Sequence, residues 1–202
     1  MDAMVIKALA KWPNVPACYG WLGLDARGHW WMRDDAAQAA GGFTSGAKAA
    51  KGSLLQHDKL IAFIGRNYAA TEQGAWYFQN GPQQVFVELE ATPHIWRITA
   101  HDPTDSPATR VLGVCNHAGE EARVQRCITD EYGRVYLDCD IGFGLVHSLD
   151  VQLAADAIDS GLWVLTQIQA AQLPARFGYI RSPQRVNLKA VGDKTNNQLT
   201  TN

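Results

Sequence analysis

Apolar residues along this chain fall mostly in short runs of period two, broken by turns that carry glycine. Three of the breaks share one form. Asp25-Ala26-Arg27-Gly28 precedes Trp30-Trp31, Thr71-Glu72-Gln73-Gly74 precedes Trp76-Tyr77-Phe78, and Asp130-Glu131-Tyr132-Gly133 precedes Val135-Tyr136-Leu137. Each predicts a tight hairpin. The Asp or Thr side chain caps the turn, and glycine takes the left-handed position that closes it. The pattern implies construction from repeated β-hairpins and names no reaction.

The remaining elements follow from the same reading. A first hairpin is expected over 17–33, with Tyr19, Trp21, Leu22, Leu24, Trp30, Trp31 and Met32 as its apolar stock. Asp34-Asp35 starts a short helix over Ala36–Ala40, which Gly41-Gly42 stops. Residues 43–52 hold too few apolar side chains to pack, so 34–52 reads as a mobile insertion. Ser53 and Gln56 have the spacing of a capping box, and Leu54, Leu60, Ile61, Phe63, Ile64 and Tyr68 form a helical stripe. A helix over 54–69 is therefore predicted. Residues 75–80 and 84–91 form a second hairpin around Asn80-Gly81-Pro82, and 94–100 a further strand. Val85, Val87 and Leu89 alternate with Phe86, Glu88 and Glu90, the period of a half-buried strand.

His101-Asp102-Pro103-Thr104-Asp105-Ser106-Pro107 is the best boundary, with two prolines and three turn formers. Beyond it a meander is expected at 110–116, 122–129, 134–141 and 143–147. Asp150 then caps a helix over 151–160 that Gly161 ends. A strand over 162–168 and a short turn or helix at Leu173-Pro174 follow. The expected fold class is α+β: two hairpin-rich antiparallel-sheet lobes, each packing one main helix. The lobes are 1–102 and 108–186, with a loose tail over 187–202.

Composition narrows the function classes. A chain of 202 residues with 47% hydrophobic content buries a core without staples. A net charge of −2 leaves no electrostatic footprint for nucleic acid or anionic membrane. No apolar run approaches the ~18 residues of a membrane span. Val15-Pro16-Ala17-Cys18 faintly matches a lipoprotein cleavage site, but Asp2, Lys7, Lys11 and Trp12-Pro13 interrupt any apolar segment before it. A cytoplasmic protein with reduced cysteines is expected. The four cysteines lack paired C-x-x-C spacing.

From Cys18 to Pro93 the chain resembles the bacterial domain-of-unknown-function family twelve-eighty-five. The residues that carry the resemblance are Gly28-His29-Trp30-Trp31, a helix with Leu60 and Phe63, Gly74-Ala75-Trp76-Tyr77-Phe78, Val85-Phe86-Val87-Glu88-Leu89-Glu90 and Thr92-Pro93. The resemblance implies a two-lobed α+β architecture with repeated strand and helix motifs and a role in signal transduction. It carries over no catalytic residue. Residues 34–52 depart from the family pattern, and no match extends past Pro107.

Three constellations suggest chemistry. Cys115, His117, Cys127, Cys139 and His147 are soft ligands, and a metal or thiol site needs three or four of them to converge. Cys127 and Cys139 share a face only if the Gly133 turn pairs residues of equal parity. Otherwise they are small buried hydrophobes. Asp138 and Asp140 lie on one strand face with Tyr136, about 7 Å apart, suited to a hard cation or to acid–base work. Glu88 and Glu90 repeat the arrangement. The bland reading of both pairs is a solvated face. Third, Trp30 and Trp31 are adjacent in a strand and point to opposite sides, so one of them lines a groove or interface unless both faces are covered. Trp76 and Tyr77 are further candidates for contact with a ligand or partner. Arg66 and Arg176, each beside an aromatic, suit a carboxylate or phosphate, or a helix C-terminus.

No Walker loop, dinucleotide fingerprint, nucleophile elbow or H-E-x-x-H motif is present. The leading expectation is a non-catalytic cytoplasmic module that binds a small molecule or a protein. It calls for no cofactor. A metal- or thiol-dependent enzyme and a structural homo-oligomer, for instance a homodimer through exposed strand edges, are the alternatives.

Overall fold

The structure, a computed structural model, describes residues 1–101 and 111–190. The expected boundary beyond His101 and the tail beyond 190 lie outside them. Contacts divide the chain into two compact units. The first holds 1–24, 30–90 and the chain from Ile180 onward, and the second holds 25–29 and 91–179. Among the described residues no helix is long and apolar enough to cross a membrane.

The first unit is a six-stranded sheet. Its strands are β1 (Cys18–Leu24), β2 (Trp30–Met32), β3 (Ser53–Leu54), β4 (Tyr68–Ala70), β5 (Trp76–Asn80) and β6 (Gln83–Leu89), in the order β3-β2-β1-β6-β5-β4. Only β1 and β6 pair in parallel; the other neighbours are antiparallel. One face carries Leu22, Leu24, Trp30, Val87 and Leu89, all buried. Helix α1 (Ala3–Lys11) buries Val5. Two further helices, α2 (Asp35–Ala39) and α3 (Asp58–Arg66), follow in the chain. Phe63 of α3 meets Phe78 edge-to-face, with ring centroids 5.5 Å apart.

Three expectations are corrected here. Helix α3 starts later than the capping box suggests, because Ser53 and Leu54 pair as β3 with Met32 and Trp31. His57 caps the helix instead, its ring nitrogen accepting from Leu60 N–H at 3.2 Å. Glu88 is buried and not on a solvated face, since β6 is covered on both sides. The stretch 43–52, expected not to pack, buries Phe43 and Ala50.

The second unit is a seven-stranded sheet. It contains β7 (His94–His101), β8 (Val111–Asn116), β9 (Glu121–Ala122), β10 (Val124–Thr129), β11 (Val135–Cys139), β12 (Gly142–Val146) and β13 (Leu165–Gln167). Their order is β13-β10-β11-β12-β7-β8-β9. The strand expected at 94–100, placed with the 1–102 lobe by the sequence reading, thus belongs to this sheet. Apart from β13, the strand order repeats that of the first sheet. Two sets of three strands meet through a parallel pair, β7 with β12 here and β1 with β6 there. The helices do not follow the repeat: α3 lies between β3 and β4, whereas α4 (Val151–Asp159) follows β12.

Trp96, Ile98, Val114, Cys127, Leu137, Cys139 and Val146 form the core of this sheet, with Ala154 of α4 packed on it. Trp96 Nε1 donates to the Leu137 carbonyl at 2.9 Å. An aromatic ladder of Tyr136, Phe143, Phe177 and Tyr179 is also present, with Phe143 and Phe177 stacked at 3.8 Å. Tyr136 is buried, so the face it shares with Asp138 and Asp140 is not wholly solvated. Asp150 precedes α4 but makes no side-chain cap. Its carboxylate is held by Arg97 Nε (2.6 Å) and the Ile98 N–H (3.0 Å).

Among the described residues the predicted hairpin turn occurs four times, once more than its sequence pattern shows. Asp25 Oδ1 accepts from the N–H groups of Arg27 and His29, Asp130 Oδ1 from Tyr132 and Arg134, and Thr71 Oγ1 from Ala75. Asn116 Oδ1 accepts from Ala118 and Glu120 in the same way. Gly28, Gly74, Gly119 and Gly133 close the turns with φ of 81°, 81°, 83° and 74°. The fourth copy, Asn116-His117-Ala118-Gly119, escapes the pattern because no aromatic strand follows it.

Candidate ligand cleft

Arg33 directly follows β2 and is 1% exposed. A guanidinium has five N–H donors and no way to lose its charge, so burial demands acceptors on every side. Backbone carbonyls supply them. Nε donates to Ala50 (2.7 Å), Nη1 to Gly20 (2.9 Å), and Nη2 to Gly41 (2.5 Å) and Ala37 (3.4 Å). One side chain thereby ties β1, α2 and the chain from 41 to 50 together. This is how a segment poor in apolar residues packs: a buried cation collects its carbonyls.

The charge of Glu88 also acts on Arg33. Burial raises the Glu88 pKa, opposed by the Ser182 hydroxyl and the Gln184 N–H, which donate to its two oxygens, and by Arg33. The same carboxylate thus fastens the start of the helix that runs from residue 183.

Above Arg33 the segment forms one wall of a cleft of about 520 Å³, with Trp31, Phe43, Lys48, Lys51, Glu90 and Arg181 among its lining. Trp31 pairs with Gly23 of β1, and Gly23 pairs with Glu88, so Trp31 shares their face. The Phe43 ring fills the space over Gly23, where a Cβ would come within 2.5 Å of it. Lys48 and Lys51 are the ends of a 3-10 turn whose Ala50 carbonyl is the acceptor for Arg33. Lys51 Nζ lies 5.0 Å from the Trp31 ring centroid, 5.7 Å from that of Phe43, and 3.1 Å from Glu90 Oε2. The Arg181 guanidinium donates to the backbone carbonyl of Glu90.

The other sequence-derived candidates lie elsewhere. Trp30 is buried on the opposite face and meets Tyr68 edge-on. Trp76 packs on Tyr68, and Tyr77 on Phe86. Arg66 pairs with Asp2 at 3.2 Å. Arg176 is exposed in the last turn of the short helix α5 (Leu173–Arg176) in the second unit. Only Trp31 of this set lines the cleft. Of its partners there the sequence pattern marks Glu90, as half of a carboxylate pair, but not Phe43, Lys48, Lys51 or Arg181, although Trp31 and Arg33 share strand parity, and Lys48 and Lys51 have the i, i+3 spacing of a single turn.

The soft-ligand and carboxylate candidates do not converge. Among the described residues no group of three or more His, Cys, Asp or Glu is placed to hold a metal ion. Cys127 lies opposite Leu137, so it shares a face with Cys139, and both are buried in the core. Burial pushes their thiols up to about 11 and about 12. Cys115 is half-buried opposite Arg97. Asp138 and Asp140 are ion-paired with Arg126 (2.6 Å) and Arg123 (3.3 Å). His117 instead neighbours His94, which stacks on Trp96; the two imidazole centroids are 6.2 Å apart. Burial lowers His94 to about 4 and His117 to about 3, the latter lowered further by the charge of His94. His147 is buried, and its pKa is lowered chiefly by burial.

Two sheets built on one strand order, with a cleft in the first unit, define an α+β protein. The chain belongs to the family described as "Protein of unknown function (DUF2946)", whose model matches residues 1–184. A crystal structure of a DUF1285 family protein from Silicibacter pomeroyi DSS-3 is similar at 13% identity and a TM-score of 0.48, over 77% of this chain and 84% of that one. No curated protein matches the chain.

Proposed function

We propose that the chain is a non-catalytic binding module with a regulatory role, and that its ligand is a small molecule held in the Trp31 cleft. The observation that carries this is the wall itself. The half-buried indole of Trp31 stands on β2, and the Phe43 ring is presented by a segment whose Gly41 and Ala50 carbonyls Arg33 holds, which is the preorganisation that small-ligand binding rewards. Four free thiols support a reducing, cytoplasmic setting.

Ligand-observed NMR with a phenyl series (phenol, benzoate, phenyl phosphate and phenyltrimethylammonium) tests the site. At least one member is expected to bind the native chain. Trp31→Ala is expected to abolish that binding while leaving a cooperative melt. Undiminished binding of the series by a folded Trp31→Ala variant would sink the reading.

A further inference from the structure

Resting on the cleft as the binding site, we infer that its ligand is an anion: a carboxylate or phosphate attached to a planar apolar body. The charges lining the cleft are three cations, Lys48, Lys51 and Arg181, against the single carboxylate of Glu90. Residues three apart in a 3-10 turn eclipse one another, so Lys48 and Lys51 project from one side of the same turn. Stacking two ammonium groups opposes folding unless something else holds the turn or an anion sits with them. The turn is held: Arg33 Nε grips the Ala50 carbonyl between them, and Ala50 is fully buried. The lysines are thus presented toward the cleft on a fixed base.

Arg181 reaches the same place from the other side. Its guanidinium donates to the Glu90 carbonyl, and its own carbonyl accepts from the Leu89 N–H (2.8 Å). This brings a third cation beside Glu90.

Glu90 marks where the acid of the ligand goes. Its carboxylate pairs with Lys51 at 3.1 Å while the side chain stays 38% exposed. A pair that open to solvent contributes little, so an incoming carboxylate or phosphate displaces it at little cost. The apolar body of the ligand then lies along the wall that Trp31 and Phe43 make, and Lys51, 5.0 Å from the indole centroid, stays in place to pair with the acid. A cationic ligand meets the reverse situation. It must evict Lys51 from both the indole and Glu90, and it does so next to Lys48 and Arg181.

The test titrates phenol, benzoate, phenyl phosphate and phenyltrimethylammonium into the native chain, Glu90→Gln, Lys48→Met and Lys51→Met, each checked for a cooperative melt. The two anions are expected to bind the native chain and the quaternary ammonium not to. Glu90→Gln, which removes the internal competitor, should tighten the anions by about threefold or more. Lys51→Met should weaken them by about tenfold, and exposed Lys48→Met by less. Preference for phenyl phosphate over benzoate assigns a phosphate, and the reverse a carboxylate. Tighter binding of phenyltrimethylammonium, or weaker anion binding in Glu90→Gln, overturns the anion assignment and leaves the cleft standing. Binding of phenol alone does the same. Binding of none of the series overturns the cleft as well.

Discussion

Arg33 Nε donates to the carbonyl of Ala50 across 2.7 Å, and so joins the strand that carries Trp31 to the turn that carries Lys48 and Lys51. Arg33→Leu would leave several buried carbonyls without donors. The expected loss is about 3 kcal/mol or more of unfolding free energy. Arg33→Lys should recover only part, because an ammonium lacks the planar fork that reaches carbonyls on several sides. Urea midpoints of the native chain and both variants, at unchanged slope, measure this. Equal stability of Arg33→Leu and the native chain would show that the carbonyls are satisfied by other means.

The four hairpin turns share a backbone but not surroundings. A Cβ at Gly133 meets nothing within 4 Å, so Gly133→Ala should cost only the left-handed conformation, about 1–2 kcal/mol. At Gly28 the added Cβ comes within 2.7 Å of the His117 Cβ, on a backbone with φ of 81°. Gly28→Ala should cost that strain plus about 1–3 kcal/mol of overpacking. Thermal melts of the two variants rank them, and a Gly133→Ala melting temperature below that of Gly28→Ala contradicts the argument.

Cys127 and Cys139 should resist alkylation. With thiols at about 11 and about 12, the thiolate fractions at pH 8 are on the order of 10⁻³ and 10⁻⁴, and burial blocks access besides. Iodoacetamide followed by peptide mass spectrometry is expected to label half-buried Cys18 and Cys115 first and the core pair only after unfolding. Labelling of Cys127 or Cys139 at the rate of Cys18 would argue against the buried register.

Acid should destabilise the second unit in two stages. His94 and His117 bind protons from pH 6.5 downward in the unfolded chain, but in the fold only near pH 4 and pH 3. Between those limits the unfolded state holds more protons, so stability falls as pH drops from 6.5. His147, its pKa lowered chiefly by burial, acts in the same sense. Asp130 and Asp150, held below 3.8 by their hydrogen bonds despite burial, add their loss only at lower pH. In the first unit Glu88, raised by burial, acts in the opposite sense just above 4.5 and leaves this trend of the second unit untouched. Histidine ring NMR signals and urea midpoints from pH 8 to about pH 2 follow both stages. A His94 or His117 ring that titrates near 6.5 in the native chain would remove the first.

Turns and strands are legible in the residues because their causes are local. Asp25 with Gly28, and Asp130 with Gly133, contain the cap and the left-handed residue that make a hairpin. Val135, Leu137 and Cys139 state their shared face by parity alone. Parity also separates Trp30 from Trp31, and the two do lie on opposite faces. What it cannot say is whether a face is covered. Glu88 alternates like a solvated residue, yet it is buried because 43–52 and the chain from Ser182 come to lie over its face. Ser53 has capping-box spacing, yet it pairs as a strand because Met32 offers a free edge from twenty residues away. The cleft depends on the same kind of event: Lys51 reaches Trp31 and Glu90 only because Arg33 gathers carbonyls from Gly20 to Ala50. Neighbours in sequence determine torsions and parity. Burial and charge pairing are set by segments that meet only when the chain folds, and there the tertiary structure decided.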